Sequence, residues 1–378
     1  MVDLSVSRNK IDEIDCEIVN LFEERIRIVS DVARYKSKTN KAVYDKQRED
    51  DKLIRLKKLS HGSFNERAVT ELFEQIMSIG RKYQYGVLPN IEPVTDFKKV
   101  EKIDLSPGKK VVYFGVPGSF TQGAMEKIFG EGVKGFPEKT FRGVMETVAG
   151  GRADYGVLPI ENSSTGGITA NYDIILEYEN SIHAQHVMKI DQCLLGLPSG
   201  KPEDIKTVYS HIQGLMQCSD YFEKNSHLKG VEYDSTAGAA KKVLEDGDIT
   251  QAAIAGRQAA KEYGLKILKE NIQNDRYNST RFIVLGREKV YTGDSDKISL
   301  CIELPHKSGS LYRILSHFLY NDLNLTLIES RPIPGKNWEY RFFVDVEGNL
   351  SDPAVSNALR GISEEAAFLR VLGNYKNY

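Results

Sequence analysis

The chain has 378 residues, too many for one ordinary hydrophobic core, and its composition (40% hydrophobic, 28% charged) is that of a globular protein with two or three domains. Its 51 Lys and Arg residues nearly balance 53 Asp and Glu residues, and the net charge of -2 argues against a nucleic-acid-binding protein. All 12 prolines lie at or after Pro89, so we expect the first 88 residues to differ in structure from the remainder.

The cysteines and the N-terminus exclude further classes of protein. The four cysteines are scattered without metal-ligand spacing, so we expect mostly buried, reduced thiols, no metal site and no disulfide framework. The first residues lack the basic start and apolar run of a signal peptide, and no apolar run is long enough to span a membrane. We therefore expect a cytoplasmic protein without a membrane partner.

Residues 1–88 contain a long amphipathic helix with cations on its apolar side. Between Ile11 and Tyr35, apolar residues recur at steps of three and four, the period of such a helix. Arg25 falls on this apolar stripe, where an unpaired charge is costly. Lys36 shares that face, and Arg8 begins the helix. A small dicarboxylate would neutralise these cations, and so long a helix needs a partner surface, such as a second copy of the chain.

Two further helices follow in this segment. Asp45 is placed to cap the second helix, which carries Arg48 and Glu49 in its first turn. The third helix runs from about residue 65 and ends at Gln84. The charges of the second helix fit a solvent-exposed face as well as they fit a binding site.

In order and spacing, these residues resemble the all-helical chorismate mutase family. The resemblance is carried by R-x-x-I-D-x-I-D from Arg8 to Asp15, by L-F-x-x-R ending at Arg25, by Lys36, by V-Y-D-x-x-R-E from Val43 to Glu49 and by the late Gln84. It implies a three-helix domain whose long helices interlace in a dimer, so that each active site takes Arg8 from the partner chain. One departure is Gly80, where relatives commonly have a polar residue.

The same resemblance implies a role for each polar residue. The roles are binding of the two chorismate carboxylates by Arg8, Arg25 and Arg48, hydrogen bonding of the ether oxygen by Lys36 and Gln84, and contact with the ring-hydroxyl side by Glu49 and Asp45. A Claisen rearrangement is unimolecular, so the protein need only hold the reactive conformer and stabilise charge on the ether oxygen. We therefore expect no cofactor.

Residues 89–109 are polar and punctuated by proline, which we interpret as a linker. From residue 110 to 286, short apolar runs alternate with helical periods, which predicts an α/β domain with largely parallel sheets. In such sheets ligands bind at the carboxyl ends of the strands. Polar residues follow four of the predicted strands, namely Ser119, Glu161 with Asn162, Ser210 with Gln213, and Ser235 with Thr236.

The α/β segment resembles the prephenate dehydratase domain. The motifs are G-x-x-G-S-F-T ending at Thr121, P-I-E-N ending at Asn162, Y-S-H ending at His211, S-T-A from Ser235 and N-x-T-R-F from Asn278 to Phe282. The resemblance implies two lobes, like those of a small periplasmic binding protein, with the active site in the cleft between them.

In that cleft, prephenate would lose carbon dioxide and its ring hydroxyl to give phenylpyruvate. The resemblance implies that Thr280 assists departure of the hydroxyl and that Phe282 and the polar residues at the strand ends contact the substrate. Arg281 would either bind a carboxylate of the substrate or form a salt bridge within the domain.

Residues 297–378 follow the order β-α-β-β-α-β, which predicts a ferredoxin-like α+β fold. This segment resembles the amino-acid-binding ACT domain appended to prephenate dehydratases. The resemblance implies a regulatory site for L-phenylalanine at the interface of two such domains. The implied site residues are Gly309, Ser310 and Leu311 in one stretch and Glu329, Ser330, Arg331 and Pro332 in the other.

These patterns favour a bifunctional enzyme of phenylalanine biosynthesis that is inhibited by L-phenylalanine and forms a homodimer or a dimer of dimers. One alternative is a non-catalytic amino-acid sensor with a dimerising helical arm. Another is a dehydratase whose helical arm is inactive. Arg25 on the apolar stripe and Thr280 favour the enzyme, because a sensor needs neither residue.

Overall fold

The structure is a computed structural model that describes residues 3–39, 41, 43–87 and 94–378. These residues form a helical domain, two α/β lobes and a C-terminal module. No helix in the described ranges is long and apolar enough to cross a lipid bilayer. All four cysteines are free. Cys16 is exposed and the other three are buried, so the expectation of mostly buried thiols is confirmed.

The helical domain consists of α1 (Leu4–Thr39), α2 (Lys46–Leu59) and α3 (Ser63–Val87). The side chain of Asp45 accepts a hydrogen bond from the backbone N–H of Arg48 at 3.1 Å, which confirms the predicted N-cap of α2. With 36 residues, α1 is about 54 Å long. Its apolar stripe is uncovered in the single chain, and Ile14 and Ile18 each expose 55% of their surface. So long an exposed apolar stripe is unusual for a helix surface that faces water.

The rest of the chain alternates short strands and helices. The elements up to residue 292 are β1 (Lys98–Val100), β2 (Lys110–Phe114), α4 (Phe120–Phe129), β3 (Lys134–Glu138), α5 (Phe141–Ala149), β4 (Tyr155–Asn162), β5 (Gly166–Gly167), α6 (Thr169–Glu177), β6 (Ser181–Lys189), β7 (Cys193–Gly196), β8 (Thr207–Ser210), α7 (Ile212–Met216), α8 (Ser219–Lys224), β9 (Lys229–Glu232), α9 (Thr236–Asp246), β10 (Gln251–Ala255), α10 (Arg257–Tyr263), β11 (Lys266–Lys269), β12 (Ser279–Gly286) and β13 (Val290–Thr292). The C-terminal module contains β14 (Lys297–Glu303), α11 (Ser310–Leu319), β15 (Leu325–Pro332), β16 (Tyr340–Glu347), α12 (Pro353–Glu365) and β17 (Phe368–Tyr375).

Each lobe is built around its own sheet. The strand order is β3-β2-β4-β12-β6 in the first lobe and β9-β8-β10-β7-β11 in the second. Strands β2, β3 and β4 run parallel, but β12 lies antiparallel between β4 and β6. In the second lobe β7 likewise lies antiparallel between β10 and β11. The prediction of largely parallel sheets is therefore wrong for one half of each lobe. In the first lobe the reason is that the chain returns from the second lobe in the opposite direction and completes the sheet with an antiparallel strand.

The segment interpreted as a linker is packed against the protein over much of its described part. Strand β1 pairs in parallel with β13, with Lys98 opposite Val290. Phe97, Ile103 and Leu105 are buried. Residues 97–105 are therefore packed, which the sequence did not indicate because apolar side chains scattered among charged ones give no recognisable period.

The C-terminal module has the predicted β-α-β-β-α-β order, and its strand order β17-β14-β16-β15 is that of a ferredoxin-like fold. Strand β17 also pairs with β6 through Gly373 and Ile182, so the module and the first lobe share one ten-stranded sheet. A Cβ atom at residue 373 would lie 2.3 Å from the carbonyl oxygen of Ile182, so this junction requires glycine. Phe343 and Tyr375 of the module belong to the same hydrophobic core as Ile160 of the first lobe.

Candidate active sites and effector site

The helical domain encloses a cavity of about 300 Å³. Five cationic and three acidic side chains line it, a surplus of two positive charges that suits a small dianion. The predicted residues that line this cavity are Arg25, Lys36, Asp45, Arg48, Glu49 and Gln84. Sequence spacing therefore brings together the residues expected of one site, and the cavity is hereafter called the helical cavity.

Arg25 is half-buried on the apolar stripe of α1. Its Nη1 donates a hydrogen bond to the carbonyl oxygen of Ile76 on α3 at 3.3 Å. Burial lowers the pKa of Arg25, and the nearby charge of Glu49 opposes this effect. A Cβ atom at residue 80 would lie 3.3 Å from Nη1 of Arg25. Gly80, the departure noted in the sequence, therefore leaves room for the guanidinium.

Lys36 and Gln84 each have unfulfilled bonding capacity at the wall of the helical cavity. Nζ of Lys36 donates to the carbonyl oxygen of Val43 at 2.5 Å. Burial, and after it the positive charge of Arg48, lowers the pKa of Lys36, so an electron-rich ligand would stabilise its charged form. Gln84 donates through Nε2 to the carbonyl oxygen of Gly80 at 3.2 Å, while its buried Oε1 has no hydrogen-bond partner among the described residues. A buried acceptor of this kind requires a partner, which a ligand or a water molecule supplies.

Arg8 is the predicted carboxylate-binding residue that does not line the helical cavity. Its side chain is exposed near the start of α1. A straight helix places it about 25 Å from Arg25 along the axis. The chain therefore cannot bring Arg8 into its own cavity.

Glu49 lies at the cavity wall, but its carboxylate is already paired with Arg81. Arg81 is only 7% exposed, and its Nη1 forms a hydrogen bond with Oε2 of Glu49. Arg81 is absent from the residues predicted from the sequence, although the signal was there. It lies four residues after Met77 and three before Gln84, on the buried face of α3, as Arg25 lies on the stripe of α1.

The first lobe gathers polar groups around the amide of Asn162 at the end of β4. Its Nδ2 donates to Oγ1 of Thr280 at 2.9 Å and to Oδ1 of Asn278 at 2.8 Å. Its Oδ1 accepts hydrogen bonds from the backbone and hydroxyl of Ser164. Asn278 is 1% exposed, and its Nδ2 has no partner among the described residues. Asn162 and Thr280 thus form one site group, which Asn278 supports from within.

The second lobe holds another group of predicted residues at the carboxyl ends of its strands. Ser235 caps α9 by accepting from the N–H of Gly238 at 3.0 Å, and Thr236 follows it. Gln213 is exposed on α7. Ser210 is fully buried, and its hydroxyl donates to the carbonyl oxygen of Ile254 at 2.7 Å. Its hydroxyl therefore joins two strands of the sheet, and the substrate contact of Ser210 stays a prediction.

The loop after β2 joins the two lobes. Ser119 caps α4 by accepting from the N–H of Gln122 at 3.3 Å. A Cβ atom at Gly118 would lie 2.9 Å from Cα of Ala259 on α10 of the second lobe. The hydroxyl of Tyr263 donates to the carbonyl oxygen of Pro117 at 2.7 Å. This loop therefore holds Ser119 at the edge between the lobes.

Three predicted substrate contacts on β4 and β12 are engaged within the protein. Nη1 of Arg281 lies 2.5 Å from Oδ2 of Asp345 on β16, and its Nε lies 3.1 Å from Glu161. Arg281 thus forms the salt bridge within the domain through Glu161, and a shorter one with Asp345 of the C-terminal module. Phe282 is 2% exposed in the core of the first lobe, and its substrate contact stays a prediction.

The two predicted effector stretches lie in different surroundings. Gly309, Ser310 and Leu311, at the start of α11, line a cavity of about 250 Å³ together with aromatic side chains. The second stretch, Glu329 to Pro332, lies on β15 and does not line that cavity. Arg331 is paired with Asp173 of the first lobe, Nη2 to Oδ2, at 2.6 Å.

Two family models match the chain. Residues 7–85 match the family described as chorismate mutase type II, and residues 111–290 match prephenate dehydratase. The bifunctional chorismate mutase/prephenate dehydratase of Aquifex aeolicus is 35% identical over 99% of this chain and 98% of its own length. An arogenate dehydratase/prephenate dehydratase of Arabidopsis thaliana is 36% identical over 75% of this chain and 77% of its own length.

Solved structures resemble about seven tenths of the chain. The prephenate dehydratase of Arthrobacter aurescens in complex with L-Phe has 31% identity and a TM-score of 0.66, and the match covers 71% of this chain and 89% of that one. The prephenate dehydratase of Staphylococcus aureus has 26% identity and a TM-score of 0.62, and the match covers 70% of this chain and 99% of that one.

Proposed function

Because the chain belongs to the family of bifunctional chorismate mutase/prephenate dehydratases, we propose that it converts chorismate to prephenate in the helical domain and prephenate to phenylpyruvate between the two lobes. One observation carries the mutase half. A cavity with a surplus of two positive charges brings Arg25, Lys36 and Arg48 together with the unpartnered amide oxygen of Gln84. A non-catalytic dimerising arm needs no such cavity.

In the mutase reaction the protein holds chorismate in its reactive conformer and forms no covalent bond to it. Arg25 and Arg48 bind the carboxylates. As the ether C–O bond breaks, negative charge grows on its oxygen, and Lys36 and Gln84 donate hydrogen bonds to it. Rotating the Gln84 amide by half a turn would bring its NH2 group to the position of the unpartnered oxygen. Asp45 and Glu49 remain for the ring-hydroxyl side.

A second copy of the chain completes the mutase site in this proposal. The uncovered stripe of α1 supplies the interface, and the partner subunit's Arg8 supplies the remaining carboxylate contact. The exposed position of Arg8 in the single chain supports this arrangement. The expected assembly is a homodimer or a dimer of such dimers.

In the dehydratase reaction the bond from the ring to the carboxylate breaks, its electron pair enters the ring, and the ring C–OH bond breaks to complete the aromatic system. The departing hydroxide takes up a proton and leaves as water. Asn162 donates to Oγ1 of Thr280, which leaves the hydroxyl hydrogen of Thr280 free to point at the departing group. In this proposal Ser119, Gln213, Ser235 and Thr236 border the cleft and orient the substrate.

We further propose that the C-terminal module is an ACT domain that binds L-phenylalanine as an inhibitor. The ferredoxin-like strand order and the cavity at Gly309 to Leu311 support this proposal. The stretch Glu329 to Pro332 lies on β15, the strand at the end of the sheet, where a second module can approach. Feedback requires that L-phenylalanine bind two states of the protein with different affinity.

The test is to incubate the purified chain with chorismate and, separately, with prephenate, and to follow prephenate and phenylpyruvate with and without L-phenylalanine. We expect both conversions and a decrease of phenylpyruvate formation by L-phenylalanine. Phenylpyruvate from added prephenate alone would show that the helical arm is inactive. Absence of both products from a folded chain would favour the amino-acid sensor.

A further inference from the structure

We propose that Arg81 is a positioning residue of the mutase site, which fixes the carboxylate of Glu49 at the wall of the helical cavity, and that Glu365 of the C-terminal module shares its guanidinium. The module thereby influences the mutase reaction through one side chain. The inference rests on the proposed mutase function and goes beyond it by naming the contact between the site and the module.

Arg81 has the geometry of a bridge between two domains. Its Nη1 binds Glu49 of α2, and its Nη2 lies 2.5 Å from Oε1 of Glu365, the last residue of α12. The ring of Tyr44 lies 4.8 Å from its Cζ and covers one face of the guanidinium. A planar guanidinium donates in fixed directions, so the position of one carboxylate constrains the other.

The charges at this bridge depend on one another. Burial by itself lowers the pKa of Arg81, but the charges of Glu49 and Glu365 outweigh it and raise the pKa. Burial raises the pKa of Glu365, but its contacts with His317 and Arg81 outweigh that effect and lower it. Removing one carboxylate leaves a buried cation with a single counter-ion, and the remaining pair must rearrange.

The module side of the bridge connects to the predicted effector stretch. Nε2 of His317 on α11 lies 3.4 Å from Oε1 of Glu365, and His317 is 1% exposed. A Cβ atom at Gly361 of α12 would lie 2.3 Å from the His317 ring, so α11 and α12 are in close contact. Helix α11 begins at Ser310, which lines the cavity of the predicted effector stretch Gly309 to Leu311. A displacement of α11 therefore reaches Glu365 through direct packing.

The first experiment is a double-mutant cycle on mutase kinetics with Arg81→Met, Glu49→Gln and the double variant. If Arg81 acts by positioning Glu49, Arg81→Met lowers kcat about tenfold in the wild-type background and less than about twofold in the Glu49→Gln background. A general loss of structure would instead lower activity in both backgrounds. If the reductions in kcat of the two single variants multiply in the double variant, Arg81 does not act by positioning Glu49.

The second experiment tests the module side. Glu365→Gln keeps the shape but removes the charge, and we expect mutase kcat to fall about threefold. The mutase kcat of Arg81→Lys should be lower than that of the wild type, because an ammonium group cannot donate to both carboxylates in fixed directions. The matched control is Tyr85→Phe, which removes the hydrogen bond to Glu364 at the same interface without touching Glu49. We expect its mutase activity to be unchanged.

Equal mutase activity of Glu365→Gln, Tyr85→Phe and wild type would overturn the influence of the module. Dehydratase activity, measured on every variant, reports whether the chain is folded. A folded, dehydratase-active wild-type chain without mutase activity would overturn the proposed mutase function and this inference together. A mutase-active chain with multiplying effects would overturn the inference alone.

Discussion

The proposed sites of the helical domain and of the first lobe differ in the charge of their side chains. Half of the side chains that line the helical cavity are charged, whereas Thr280 and Asn162 in the first lobe are neutral. The proposed chemistry explains this difference. A Claisen rearrangement depends on holding a dianion and an electron-rich oxygen, whereas dehydration gains its driving force from aromatisation and needs only a positioned proton donor.

The two regions are alike in how each contacts the C-terminal module. In each, the residue directly after a site residue is a buried arginine: Arg81 follows Gly80, and Arg281 follows Thr280. Arg81 is paired with Glu365 and Arg281 with Asp345. The module thus touches both regions through an arginine and a carboxylate, although the two regions have unrelated folds. This arrangement predicts two separate activities, each in a region that contacts the same module.

The largest expected effect tests whether the two sites are separate. Arg25→Ala should lower mutase activity about 10²–10³-fold, because it removes a carboxylate ligand and transition-state charge stabilisation. Dehydratase activity should stay within about twofold, since the first lobe is not involved. The measurement is kcat/KM with chorismate and with prephenate. Arg27→Ala, at an exposed position of α1, is the matched control and should retain both activities. Loss of both activities in folded Arg25→Ala would contradict separate sites.

The converse substitution is Thr280→Ala, which removes the hydroxyl that Asn162 orients. Dehydratase kcat should fall about 10²-fold, as for loss of a positioned proton donor, while mutase activity is retained. Thr280→Ser keeps a hydroxyl at the same place and should recover most of the activity. If Thr280→Ser were as inactive as Thr280→Ala, the methyl group rather than the hydroxyl would be the important feature.

A third prediction concerns the contact between the first lobe and the module. Asp345→Asn removes the charge paired with Arg281 and should lower the free energy of unfolding by about 2 kcal/mol, because a buried charged hydrogen bond is lost. Denaturant unfolding measures this change. Glu245→Gln, in an exposed pair with Lys241, is the control and should change stability by less than about 0.5 kcal/mol. Equal effects of the two variants would show that the buried pair is not special.

The smallest expected effect is a difference in how stability depends on pH. It distinguishes the contact of the C-terminal module with the helical domain at Lys82 from its contact with the first lobe at Arg281. Lys82 on α3 donates to the carbonyl oxygen of Ser316 at 3.2 Å, and burial lowers its pKa to about 8. The unfolded chain holds this proton up to about pH 10.4, so unfolding takes up a proton between these values and stability rises with pH across that window. The full pKa difference corresponds to about 2 kcal/mol between pH 8 and pH 10. Because solvent partly screens this charge, we expect the wild-type chain to gain about 1 kcal/mol relative to Lys82→Met.

The Lys82 prediction is checked by denaturant unfolding of both chains at several pH values. The arginine at the other module contact keeps its charge throughout this range, since the carboxylate partners of Arg281 outweigh burial and raise its pKa. The ion pair at the first lobe should therefore contribute no such pH dependence. A parallel pH profile for wild type and Lys82→Met would contradict the lowered pKa of Lys82.

The periodic spacing of apolar residues predicted much of the fold and most of the site residues that line the helical cavity. The cations of the helical cavity were predictable because a helix fixes which side chains share a face, so Arg25 and Lys36 must lie together once α1 forms. Strand β6 was harder to predict because the buried polar residues His183 and Gln185 interrupt its apolar pattern. Ser210 and Phe282 look like site residues in sequence, but burial is a property of the neighbours that pack against them.

The sequence by itself determined the helical segment, the α/β alternation, the ferredoxin-like order and the cations on the stripe, since each follows from spacing along one element. Tertiary structure alone decided that residues 97–105 are packed, that β12 enters antiparallel, and that β17 continues the sheet of the first lobe. It also decided the partners of Arg81 and Arg281. The physical reason is distance along the chain. Residues 284 positions apart, such as Arg81 and Glu365, share no local period, and only the folded packing places their charges in contact.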